Sequence, residues 1–259
     1  MSGFSHTSSE TGPEAPLATM RGDRITVRGF DLADELIGQV SFTEMLLLDL
    51  TGEPPSPTTV RMVDAVLVAL MEHGITPSTL ATRLALDGAP ESLQGAVAAG
   101  LLAVGSRFLG VIEDAAHTVQ TVARDGETLG LEAAAGRRVD SLQAAGLPVP
   151  GLGHNLHGHE DPRVAALLRV AEKERLSDRH VRALRALHAA ANDRLGKELI
   201  VNAAGAAAAV LLDLGHPPGQ VRGFALVTRC AGLFAHAVDE LKRPLAREVW
   251  ERESERFRE

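Results

Sequence analysis

The chain has 259 residues, 45% of them hydrophobic, and a formal net charge of −8. That length and apolar share specify a globular protein with a substantial core, either one large domain or a main domain with a smaller one inserted. The acidic balance argues against nucleic-acid and membrane-surface partners, which select basic patches, so any anion site must be built locally. The single cysteine, Cys230, excludes an internal disulfide framework, suits a reducing cytoplasm and is expected to be a small buried hydrophobe. No targeting segment is visible at the N-terminus, and the longest apolar run, Ala203 to Leu212, is too short for a membrane span.

Residues 1–20 are polar and small and read as a disordered arm. Ile25 to Gly29 alternates as a short strand, almost the only strand signal in the chain. The pattern then turns helical. Ser41 with Glu44 forms a capping box, and Gly52 before Pro54 and Pro55 ends that helix. Ser56-Pro57 opens the next, carrying Val60, Val63, Val66, Leu67 and Leu70 towards His73-Gly74, and Thr76-Pro77 opens a third. A small-residue helix spans about 90–104, and Gly105 to Gly110 interrupts it. Helices follow over about 111–123 and 127–145. After a Pro/Gly loop, Asp161 is the N-cap of another, with Pro162 in its first turn. Ser177 is expected to cap a long amphipathic helix that Gly196 stops, and Asn202 precedes an Ala-rich helix to Leu214. A long helix over about 221–241 is closed by Arg243-Pro244, and the charged tail 248–259 reads as frayed. Ten or eleven helices without a fixed repeat give a mainly α fold.

The densest chemistry lies in Pro148 to Arg163, P-V-P-G-L-G-H-N-L-H-G-H-E-D-P-R, where His154, His157 and His159 precede a helix start flanked by Arg163. A guanidinium beside a helix N-terminus favours a carboxylate ligand. His157 and His159 lack a third ligand at diagnostic spacing, so no metal is expected. Arg229 stands inside the apolar run F-A-L-V-T-R-C-A-G-L-F, and a buried arginine requires an anionic partner. On their own, His73 reads as a helix C-terminal dipole partner, Arg243 as a surface residue and His236 as a core or interface histidine; His117, His180 and His188 read as solvent-facing.

The segment P-G-L-G-H-N-L-H-G-H-E-D-P-R resembles the substrate-gripping signature of the citrate synthase superfamily. So do, in order, R-G-F-D-L-A-D-E-L at 28–36, L-L-L-D-L-T-G-E-P-P at 46–55, E-H-G-I-T-P-S-T at 72–79, V-T-R-C-A-G-L-F-A-H at 227–236 and K-R-P-L-A at 242–246. At this length the chain is most similar to short bacterial members labelled citryl-CoA lyase. The resemblance implies a multi-helix fold with a large domain (21–108 and 209–259) and a small lid domain (109–208), in a cytoplasmic homodimer. It assigns catalysis to His154, which polarises a ketone or takes the proton of a tertiary hydroxyl. His73, Arg163, Arg229 and Arg243 would bind a small carboxylate, Arg243 reaching across the dimer. Val149, Pro150, Gly151, Leu152 and Gly153 would grip the adenine of a coenzyme A thioester, although Leu156, His157 and Gly158 replace the basic residue common after the histidine.

Two catalytic positions depart from the pattern. Phe108 stands where a histidine stabilises the enol, and Ala204 where an aspartate removes a proton α to the thioester. A missing positioned base typically removes about 10²–10⁴ in rate. Glu113, Asp114, His157 and His159 are the nearby residues able to substitute. The implied activity is cleavage or formation of the carbon–carbon bond between an acyl-CoA and a 2-oxo acid, as in citryl-CoA cleavage or citrate-type condensation. The alternatives are a catalytically silent homologue that binds a tricarboxylate or acyl-CoA, and an enzyme with a changed acyl or oxo-acid substrate.

Overall fold

The computed structural model describes residues 12–153 and 160–258, so His154, His157 and His159 lie outside the described residues. The chain divides into two compact units, Met1–Ala65 and Val66–Glu259.

In the first unit, β1 (Ala18–Arg21), β2 (Arg24–Val27) and β3 (Phe30–Asp31) form an antiparallel sheet in the order β1-β2-β3, with Thr19 opposite Thr26 and Val27 opposite Phe30. The strand signal at 25–29 was therefore one member of a three-stranded meander, and β1 takes in residues assigned from sequence to the arm. A π-helical turn, Leu32–Leu36, follows; the Asp31 carboxylate accepts the N–H groups of Ala33 and Asp34. α1 (Phe42–Thr51) starts on the expected capping box, Glu44 N–H to Ser41 Oγ at 3.2 Å and Ser41 N–H to Glu44 Oε2 at 2.7 Å. Val27, Phe30, Leu36 and Leu48 make its core. α2 (Pro57–Met71) crosses the boundary between the units.

The second unit is helical: α3 (Pro77–Gly88), α4 (Leu93–Leu102), α5 (Val111–Leu129), α6 (Leu131–Ala144), α7 (Pro162–Lys173), α8 (Arg179–Leu195), α9 (Ala203–Asp213), α10 (Pro218–Glu240) and α11 (Ala246–Arg256). The mainly α class expected from the periodicity is what the chain adopts. α9 is Ala-rich because it is buried on all sides, from Ala203 and from Gly205 through Leu212, and small side chains let α5, α7, α8 and α10 approach it. α10 is the one helix among the described residues long and apolar enough to cross a membrane by length and composition. It packs against α3, α4, α5 and α9 and buries Arg229 and Glu240, the arrangement of a central core helix.

Five expectations are corrected. α5 continues to Leu129 and breaks at Gly130 (φ 81°), not near residue 125, because no stronger breaker precedes that glycine. Ser177 does not cap α8. The Asp213 carboxylate of α9 accepts the N–H groups of His180 (2.9 Å) and Val181 (3.2 Å) and meets His180 Nδ1 at 2.8 Å, so His180 is buried rather than solvent-facing. The tail is not frayed: Glu240 Oε1 accepts the N–H groups of Leu245 (2.8 Å) and Ala246 (2.7 Å), which seats α11. Cys230 is exposed, because α10 turns Thr228, Arg229, Gly232 and Leu233 inward and leaves position 230 outside.

α3 and α4 meet closely at Gly100, where a Cβ would lie 2.8 Å from Leu233 Cδ1 and 2.9 Å from the Ser78 carbonyl oxygen. Gly100→Ala therefore overpacks this contact and lowers stability by about 1–3 kcal/mol, seen as a lower denaturation midpoint at unchanged slope.

Candidate active site

The end of α2 lies against α10 with almost nothing between them. Thr228 Oγ1 donates to the Leu67 carbonyl at 2.5 Å, and a Cβ on Gly232 would come within 2.4 Å of the Met71 carbonyl oxygen and 3.0 Å of Glu72 Oε1. This contact sets the Glu72–His73 turn on the stretch of α10 that carries Arg229. Arg229 is 5% exposed, and its Nε and Nη1 have no hydrogen-bond partner among the described residues. Burial pushes its guanidinium below the ordinary value, Glu72 pulls it back, and the neighbouring Arg163 charge lowers it further. Arginine stays protonated regardless. Two guanidinium groups close enough to repel each other, one of them buried with donors that no described residue takes, are the arrangement that an anion would relieve.

Arg163 is aimed by Asp161, whose side chain is fully buried. The carboxylate accepts from Arg163 Nε at 2.9 Å and Nη2 at 2.7 Å, caps α7 through the Arg163 N–H at 3.1 Å, and accepts the Ala203 N–H of α9 at 3.1 Å. Burial alone would raise its pKa. The Arg163 fork and the two backbone donors outweigh that and hold it below the usual carboxylate value. Asp161 thus ties α7, α9 and one arginine of the site together, whereas its sequence role was only that of a cap.

The loop 149–153 is stitched to the segment before α9. Gly153 N–H donates to Ile200 O (2.7 Å), Asn202 N–H to Gly151 O (3.1 Å) and Asn202 Nδ2 to Gly153 O (2.8 Å), with Leu152 bridging Val201. With Leu152 N–H also donating to Val149 O at 3.4 Å, five of the loop's polar backbone atoms are committed inside the protein, so an adenine grip by Val149 to Gly153 would use others. A Cβ on Gly151 would lie 2.9 Å from Gly205 Cα and 3.2 Å from Ala115 Cβ, so the loop and the starts of α5 and α9 meet at one point. Ala204 and Gly153, the residue before His154, lie next to that junction in the chain, and Phe108 lies in the turn before α5. Phe108 is 45% exposed and Ala204 half-buried, and neither carries a proton-transfer group. Of the named substitutes, Glu113 faces Arg222 at 3.5 Å and Asp114 is exposed.

Arg243 stands apart: its side chain is 81% exposed and paired with Asp239. His73 is half-buried, and His117 is exposed as expected. His188, read as solvent-facing, instead meets Leu199 O through Nε2 at 2.6 Å, while Asn192 Oδ1 accepts the Leu199 N–H at 2.9 Å. Their i, i+4 spacing on α8 was the available signal for this clamp on the segment that holds the loop. A cavity of about 430 Å³ adjoins the clamp, lined by Glu160, Asp161, Leu168, His188 and Ile200 among others; it shares Asp161 with the arginine site but not Arg229. Among the described residues, no group of three His, Cys, Asp or Glu side chains could hold a metal.

Fold and site define an α-helical protein in which arginines of two separate helices, Arg163 of α7 and Arg229 of α10, come close enough to act on each other. A family profile, Citrate synthase, C-terminal domain, matches residues 18–249, and the chain belongs to this family. Its fold is similar to that of citryl-CoA lyase from Hydrogenobacter thermophilus (TM-score 0.78, 32% identity, covering 87% of this chain and 86% of that one). It is also similar to that of an aspartate-to-alanine variant of the Methanosaeta concilii ATP citrate lyase in complex with (3S)-citryl-CoA (TM-score 0.74, 22% identity, 87% and 38%). A probable ATP-citrate synthase of Dictyostelium discoideum is 24% identical over 236 residues, 85% of this chain and 37% of that protein. The chain spans little more than a third of the length of that curated relative.

Because the Asp161 pKa is depressed in the folded protein, its stabilisation is complete above the ordinary carboxylate pKa of about 3.9 and is lost as pH falls through the lower folded value. Asp161→Asn should cost roughly 1.5–3 kcal/mol at pH 7, the scale of bonds to a charged group, and the gap to wild type should close in acid. Denaturant titrations from pH 7 to pH 3 measure it.

Proposed function

We propose that the protein acts on the carbon–carbon bond that joins an acyl-CoA unit to a 2-oxo acid, in the manner of a citryl-CoA lyase. The observation that carries this reading is the buried Arg229 guanidinium, whose Nε and Nη1 have no hydrogen-bond partner among the described residues and on which Arg163 acts electrostatically. A citryl group supplies the carboxylates such a pair lacks, each charge-assisted bond contributing roughly 1.5–3 kcal/mol where water is excluded. His73 and Arg163 complete the carboxylate grip, and Arg243, exposed on this protomer, serves the partner's site in a homodimer. Residues 109–208 form the lid over a large domain of 21–108 and 209–259. The thioester lies along 149–153, and the reaction is cytoplasmic.

In the cleavage direction His154 takes the proton of the tertiary hydroxyl. The carbon–carbon bond breaks, its electron pair passes to the carbon α to the thioester, and the hydroxyl carbon becomes the ketone of oxaloacetate. Protonation of the enolate gives acetyl-CoA. Citryl-CoA incubated with the protein should yield oxaloacetate and acetyl-CoA by mass spectrometry, and His154→Ala should abolish both products. Absence of turnover in either direction refutes the lyase reading.

A second reading rests on Phe108 and Ala204, whose side chains supply no acid or base: the protein captures a tricarboxylate or acyl-CoA without turning it over. A changed acyl or oxo-acid substrate would use the same room. Calorimetry that finds citrate bound, with no products from citryl-CoA, selects capture over cleavage. In either case Arg229→Met should weaken citrate binding at least about a hundredfold, the loss of two charge-assisted bonds. It should not lower the melting temperature, because it removes an uncompensated buried charge.

A further inference from the structure

A second arginine, Arg83 of α3, is as buried as Arg229 (side chain 5% exposed) but fully engaged. Its Nη1 donates to Glu240 Oε2 at 2.6 Å, its Nη2 to Asp239 Oδ2 at 2.7 Å, and its Nε to His236 Nδ1 at 3.2 Å. Each of these partners leads onward. His236 Nε2 meets Glu72 Oε2 at 3.1 Å, and Glu72 precedes His73 and acts electrostatically on Arg229. Because Nδ1 accepts from Arg83, the ring proton sits on Nε2 and is donated to Glu72. At the other end, Asp239 Oδ1 accepts from Arg243 Nε at 2.9 Å. Glu240 Oε1 holds the N–H groups of Leu245 and Ala246, so the short link that carries Arg243 hangs from two carboxylates that both rest on Arg83.

We propose that Arg83 is a positioning residue for substrate capture, setting through His236 and Glu72 the His73 turn of its own site and through Asp239 and Glu240 the Arg243 that serves the partner's site. The inference rests on the carboxylate-binding reading above. It does not touch the ligand and takes no part in proton transfer. One buried guanidinium has a fixed fork of donors, so moving it displaces both ends together.

Simple electrostatics and positioning predict opposite signs for Asp239→Asn. Removing a negative charge near an anion site should tighten citrate binding; unfastening Arg243 should weaken it. Calorimetry of the full chain with citrate is expected to give a dissociation constant about tenfold weaker for Asp239→Asn, the scale of one misplaced charge-assisted bond. Asp239→Glu, which keeps the acceptor, should recover most of the affinity. His236→Leu cuts the other arm and should weaken binding similarly. The double variant should lose less than the sum of the two, as members of one network do. Thermal melts establish that each variant is folded. Unchanged or tighter citrate binding by folded Asp239→Asn overturns the role of Arg83, and full additivity of the two variants overturns the single relay. Failure of the wild-type chain to bind citrate instead removes the carboxylate reading, and the inference with it.

Discussion

The candidate site depends on one interaction: a guanidinium, Arg229, only 5% exposed, two of whose nitrogens have no hydrogen-bond partner among the described residues. A buried charge is costly unless it is paired, and among the described residues it is Glu72 that offsets the Arg229 charge electrostatically. The packing that makes this possible is explicit. Gly232 lets the last turn of α2 lie directly on α10, Thr228 fastens it, and the contact both shields Arg229 and sets the Glu72–His73 turn beside it. A side chain at position 232 would push that turn away.

The two buried arginines of the second unit show the same group used in opposite ways. Arg83 spends its donors on Glu240, Asp239 and His236 and so behaves as a fixed joint. Arg229 has two nitrogens that no described residue takes, which is what the proposed carboxylate grip would use. Arg163 falls between them: Asp161 takes two of its nitrogens and fixes its direction, while its remaining exposure of 23% leaves it available to a ligand.

What could be read from sequence was what is decided within a few residues. The caps Ser41, Thr76, Asp161 and Asn202 each bond the start of their own helix, and all four were legible. The start of α8 was not, because its cap comes from Asp213, more than thirty residues away. The existence of α11 was missed for the same reason: Glu240 holds its first N–H groups, and the tail alone shows only charge. Cys230 was misplaced because an apolar run shows no inward face until its neighbours are known. Among site residues, Arg229 could be singled out from its apolar surroundings. Arg243 and His73 gained meaning only through family resemblance, and the clamp of His188 and Asn192 on Leu199 depended on a loop conformation that local sequence does not encode.

The meeting of Gly151 with Gly205 has a mechanical consequence. At that point main chain touches main chain, with no side chain between to change rotamer and absorb a displacement. The loop that leads to position 154 and the first turn of α9 are therefore geared together, and their hydrogen bonds through Asn202 lock the gear. A displacement of either one is passed directly to the other.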